Sequence, residues 1–82
     1  MRENILQQVD SIVEILYSVD KVGLDKAFVV LVESLFKLVE EENLINSVEF
    51  NQILVELESA YTKKDLVDLA DVLLYKLKVF LE

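Results

Sequence analysis

Apolar positions recur along this chain at steps of three and four, in four stretches separated by polar breaks. From about Glu3 to Lys21, Ile5, Val9, Ile12, Leu16 and Val19 form one line, which Leu6 and Val13 widen. This is the period of a helix with one buried face. Val22-Gly23 reads as its stop, because glycine takes the left-handed C-cap conformation without a Cβ penalty. A second helix follows at about Asp25, whose carboxylate suits the free N–H groups of a first turn. Phe28, Leu31, Val32, Leu35, Leu38 and Val39 point one way on it, and Val29 and Phe36 extend the arc to roughly half the helix. It ends near Glu40–Asn43, where three acids oppose the helix dipole and predict fraying.

The third helix opens at Asn46 or Ser47, with Asn46 and Glu49 at capping-box spacing. Phe50, Ile53, Leu54, Leu57 and Tyr61 form its buried line, and Leu44 and Ile45 are expected to fold over the end of the bundle. The fourth opens at Thr62–Asp65, which resembles a capping box with a shorter acid. Leu66, Ala70, Leu73, Leu77 and Phe80 repeat there at four and three, flanked by Leu69, Leu74 and Leu81.

Four helices with short connections predict an all-α fold, a single domain over residues 1–82 arranged as an up-down-up-down four-helix bundle. The alternative joins the second and third helices into one rod and completes the bundle as a dimer of helical hairpins; Asn43 and Asn46 favour the break. The wide arc of the second helix predicts that it is the most buried element. Phe28, Phe36, Phe50 and Phe80 all fall on core faces, and Tyr17 and Tyr61 border them.

One strip does not fit a solitary bundle. With Leu66 set at 0° and about 100° per residue, the core arc of the fourth helix runs from roughly 300° to 100°. Val72, Tyr75 and Val79 then fall on the far side, as neighbours at steps of three and four. A contiguous apolar strip with a central tyrosine suits a helix-to-helix contact. These three residues are the predicted partner surface, with a second copy of the chain as the expected occupant.

Composition sharpens this picture. Apolar residues make up 54% of 82 residues, and the excess has to enter a dense core, an interface or a partner site. One glycine and no proline disfavour a turn-rich β fold. The net charge of −8 disfavours nucleic acid and anionic membranes as partners, since phosphate binding relies on Lys and Arg. The start of the chain has no leader-like apolar run, and no stretch approaches the roughly 18 uncharged apolar residues of a membrane span. With no cysteine, these features lead us to expect a cytoplasmic protein.

Candidate chemistry is sparse. Histidine and cysteine are both absent, which removes the commonest general base, the commonest metal ligand and the best nucleophile. No glycine-rich loop is present to cradle a phosphate. Asp65, Asp68 and Asp71 drift round the fourth helix, close to Lys63, Lys64 and Lys78, and Glu40–Glu42 end the second; both groups read as solvated faces. The expectation is no enzyme, no catalytic residue, no cofactor and no metal.

From Leu57 to Glu82 the pattern resembles the end of small uncharacterised helical proteins of Firmicute-like bacteria. The matching positions are Asp65, Leu69, Ala70, Asp71, Leu73, Tyr75, Leu77 and Leu81. Leu66 departs from it, where those proteins tend to have Tyr, as do Leu74 and Lys76, where they tend to have acids. Some of them are associated with motility genes, so the resemblance implies a helper role and supplies no catalytic residue.

The sequence therefore predicts a small acidic interaction module, an adaptor or a chaperone-like protein that shields an amphipathic segment. A self-associating structural homodimer is the alternative. An acidic mimic of nucleic acid is the third reading, although the charges are not arrayed in rows.

Overall fold

The computed structural model describes residues 1–82. It is all-α: α1 (Arg2–Tyr17), α2 (Leu24–Glu42), α3 (Val48–Thr62) and a fourth rod made of α4 (Leu66–Val72), a π-helical turn (Leu73–Leu77) and α5 (Lys78–Leu81), with no strand. Each rod buries a line of apolar side chains. These are Ile5, Val9, Ile12 and Leu16 on α1, Phe28, Leu31, Leu35 and Leu38 on α2, and Phe50, Ile53, Leu57 and Ala60 on α3. The fourth rod contributes Leu69, Ala70, Val72, Leu73, Leu77 and Leu81, and no polar residue joins this core.

Contacts at the rod ends give the relative directions. Arg2, at the start of α1, reaches Glu42 at the end of α2 and the carbonyls of Phe80 and Leu81 at the end of the fourth rod. Tyr61, at the end of α3, donates its hydroxyl proton to Asp25 at the start of α2. Phe50, at the start of α3, packs against Phe80, with ring centroids 5.3 Å apart. α1 lies close along α2 and also against the fourth rod, and α3 lies against the fourth rod. The backbones of α2 and α3 approach each other less closely than these pairs.

Local chemistry explains the ends, and several differ from the sequence reading. α1 stops a turn early, at Tyr17, because the Ser18 hydroxyl turns back to the Ile15 carbonyl at 2.6 Å. Val19, expected in the core line, is therefore fully exposed, and Tyr17 is exposed as well. Gly23 is left-handed (φ 82°), but it opens α2 and does not close α1. Asp25 does not cap α2; it lies within the first turn and accepts from Tyr61. Asn43 is left-handed at the end of α2, and Leu44 N–H bonds back to the Val39 carbonyl, the pattern of a Schellman stop. α2 and α3 are thus separate helices, which overturns the single-rod alternative. Ser47, not Asn46, caps α3 by accepting from Phe50 N–H at 3.2 Å. Lys64 is left-handed after α3 (φ 57°), and Asp65, not Thr62, caps α4 by accepting from Asp68 N–H.

Two expectations about burial are also corrected. α2 is not the most buried element; the fourth rod is, while Phe36, Val29 and Val30 on α2 are exposed. Phe36 leaves the core because α2 has close neighbours over only part of its apolar arc. Ile45 is exposed too, and only Leu44 of that pair packs on the core.

Candidate functional site

The predicted strip on the fourth rod comes apart. Val72 is 2% exposed and packs in the core, so it is withdrawn from the partner surface. On the wheel it stands only about 60° from Leu69, and the core line of this rod is Leu69, Leu73, Leu77 and Leu81, not the line through Leu66 and Phe80. Tyr75 and Val79 do lie outside, 71% and 61% exposed. They border a shallow groove against α3 together with Ile53, Glu49, Gln52 and Glu56. Lys76 crosses this groove to Glu56 as an ion pair.

A larger apolar surface lies along the α2–α3 seam. Phe28, Val32 and Phe36, spaced four residues apart, line one bank of a groove of about 490 Å³. Leu54, Leu57 and Val55 line the other, with Asn51 and Glu58 as the polar members. Phe28 and Leu57 are buried and form its floor. Val32 and Leu54 are half-buried walls, and Phe36 and Val55 stand on the rims, 58% and 65% exposed. From Phe28 to Phe36 the groove runs about 12 Å along α2.

One end of the groove is closed by a fixed stack. The rings of Phe28 and Tyr61 lie parallel with centroids 4.0 Å apart. The Tyr61 hydroxyl donates to the Asp25 carboxylate, and deprotonation would leave two negative charges facing each other. That hydrogen bond, with burial second, raises the Tyr61 pKa above the ordinary tyrosine value. This stack and its hydrogen bond hold the ends of α2 and α3 together where their backbones are otherwise apart.

Beyond the stack, Lys21, Lys26 and Lys64 surround a polar cavity at the start of α2, together with Asp25 and Tyr61. The Lys21 ammonium is already engaged by the Ser18 carbonyl at 2.8 Å. The acids of the fourth rod serve local ends: Asp65 is a cap, and Asp68 and Asp71 are exposed. No three acidic side chains converge in space. No helix is long and apolar enough to cross a membrane.

The sequence reading missed this groove, although its signal was present. An apolar arc spanning half of α2 is wider than the stripe that one set of close neighbours can cover. Two of its surplus members, Val32 and Phe36, line the bank. Comparison of the chain with protein families, with curated proteins and with solved structures yields no match.

Proposed function

We propose that this chain is a small, acidic, non-enzymatic interaction module, an adaptor or chaperone-like protein that receives a helix of another protein in the α2–α3 groove. We further propose that its rods form an up-down-up-down four-helix bundle, in keeping with the end-to-end pairings of Arg2 with Glu42 and Leu81 and of Tyr61 with Asp25. The observation that carries the function is the open seam. Phe36 and Val55, two large apolar side chains, stand exposed on facing rims above an apolar floor. An amphipathic helix laying its apolar face into such a groove is a recurrent recognition mode. The absence of histidine and cysteine supports binding over catalysis. A helper role is also what the C-terminal resemblance to small bacterial helical proteins implies, and the cysteine-free composition suits the cytoplasm.

The test is residue-resolved NMR of the full chain titrated with amphipathic helical peptides. Shift changes should cluster on Val32, Phe36, Leu54 and Val55, and Phe36→Ser should remove them without changing the melting temperature by more than a few degrees. Changes confined to other faces, or none with any peptide, would overturn the reading.

Self-association is the second reading. The exposed Tyr75–Val79 pair beside Ile53 favours it. That face is smaller, and Lys76 and Glu56 bridge it, so the contact it supports is weak.

A further inference from the structure

Two hollows meet near the start of α2, and they have no lining residue in common. Phe28 lines the apolar groove, and Tyr61 with Asp25 lines the polar cavity. The stacked rings of Phe28 and Tyr61 stand between them. We infer that this ring pair is a latched gate. The Asp25 carboxylate holds the Tyr61 hydroxyl, and release of that bond lets the adjoining ends of α2 and α3 part while the rest of the chain stays folded. Groove and cavity then become one slot. This is a property of the chain by itself and goes beyond the groove's role as a binding site.

The ties between the two helices sit at their ends. At one end, residues 43–47 join α2 to α3, and that connection is fixed. Leu44 N–H bonds back to the Val39 carbonyl, Ser47 N–H to the Leu44 carbonyl, and the Asn51 amide donates to the Ile45 carbonyl at 2.9 Å. At the other end, the bond from Tyr61 to Asp25 is the one polar tie, since no other hydrogen bond or ion pair crosses from α2 to α3. Between the ends the backbones stay apart, and the rims Phe36 and Val55 stand exposed.

The latch is weak, and its release leaves α2 anchored. Asp25 is exposed, so water takes over both partners once the bond breaks, and such a bond adds little net stability. Further along α2, Leu31, Leu35 and Leu38 are completely buried, and α1 lies close. That anchorage involves neither Tyr61 nor Asp25. The chain before α2 has room to move: Gly23 is left-handed, and a Cβ there would meet nothing within 4 Å. A segment tied by solvent-exposed bonds opens at lower free energy than the whole fold.

Site-resolved amide hydrogen exchange of the full chain tests the gate. Tyr61→Phe keeps the ring and removes only the latch. Exchange at Ala27 to Val30 and at Ala60 to Thr62 should rise about 5-fold, the change that one net hydrogen bond produces. Val9, Ile12, Leu35 and Leu38 should keep their native rates. Asp25→Ala should reproduce this pattern. Asp25→Asn, which loses the charge but keeps an acceptor, should stay near native. Combining Tyr61→Phe with Asp25→Ala should open the ends no further than either change alone. In the opened variants a soluble paramagnetic agent should broaden the Phe28 ring and Leu57 methyl signals, which the native chain shields.

Unchanged rates at both helix ends would show that apolar contacts close the seam without the latch. A uniform rise over all four rods would show that Tyr61 adds only to global stability. Faster exchange with Phe28 and Leu57 still shielded would show two fraying helix ends behind a closed gate. Each of these results overturns the inference.

Discussion

Phe36 and Phe50 put the same side chain into opposite surroundings. Phe50 is completely buried, against the tilted ring of Phe80, whereas Phe36 is 58% exposed on the rim of the groove. Phe50→Ala should cost about 3–5 kcal/mol in urea denaturation, the range for removing a buried ring. Phe36→Ala should cost less than about 1 kcal/mol, since little is removed from the core. The wheel could not separate these two residues. It gives a direction from the helix axis and says nothing about whether a neighbour stands there. Arg2 was equally hidden, because its partners Glu42, Phe80 and Leu81 lie 40 or more residues away. It supplies a cation where the dipoles of two helices end, and so answers the acids that predicted fraying of α2. The hydrogen bond from Arg2 holds the Glu42 carboxyl below its ordinary range. A depressed folded pKa contributes stability that is present above the unfolded value, about 4.3, and is lost as pH falls through the folded one. The stability difference between the native chain and Arg2→Met should therefore be widest near neutral pH and narrow as pH drops below about 4. A difference that stays constant with pH would show that only the carbonyl contacts of Arg2 matter.

At the level of the element, the fourth rod is distinguished by the spacing of its core line. The buried lines of α1, α2 and α3 alternate steps of three and four, which an α-helix accommodates. Leu69, Leu73, Leu77 and Leu81 are spaced four, four and four, yet all are nearly or completely buried. Four residues turn an α-helix by about 400°, so each step drifts about 40° and three steps drift about 120°, too far for one face. The π-helical turn at Leu73–Leu77, closed by Lys78 N–H to the Leu73 carbonyl, turns the chain less per residue and absorbs this drift. The sequence carried the signal, but a wheel with fixed rotation converts it into a misplaced arc, and Val72 was misread as exposed for that reason. Val72→Glu should now abolish cooperative melting, because it buries a charge with no partner among Leu69 and Leu73. Deleting Lys76 changes the steps to four, three and four and removes the need for the π turn. That deletion should keep a helical, cooperatively melting protein, at the cost of one surface ion pair to Glu56. Deleting Ser34 from α2 leaves steps of three, three and three and should abolish cooperativity. If both deletions unfold the chain, the π turn has another cause.

Over the whole molecule, the fold class was legible because periodicity belongs to each helix separately. The seam that stays open was not, because it depends on which rods approach closely, and that is decided by pairings such as Phe28 on Tyr61 between distant positions. The result is an elongated body, 37 × 22 × 19 Å, with two apolar surfaces in an acidic field. Its charge of −8 sets how these surfaces behave in solution. At about 0.01 M salt the screening length is roughly 30 Å, comparable to the molecule, so two copies repel as whole bodies before any side chain touches. At about 1 M it falls to roughly 3 Å, and only charges in direct contact still oppose association. Sedimentation equilibrium should therefore find a single 9.5 kDa species at low salt and a concentration-dependent rise in mass at high salt. The Tyr75–Val79 face has the partly neutralised surroundings that self-contact needs, with Lys76 already paired to Glu56. The groove carries one acid, Glu58, which takes part in none of the chain's ion pairs. Tyr75→Ser with Val79→Lys should remove the high-salt rise, and Phe36→Ser should leave it unchanged. A dimer already present at low salt would show that charge does not govern association. A rise cancelled by Phe36→Ser would place the second copy in the groove.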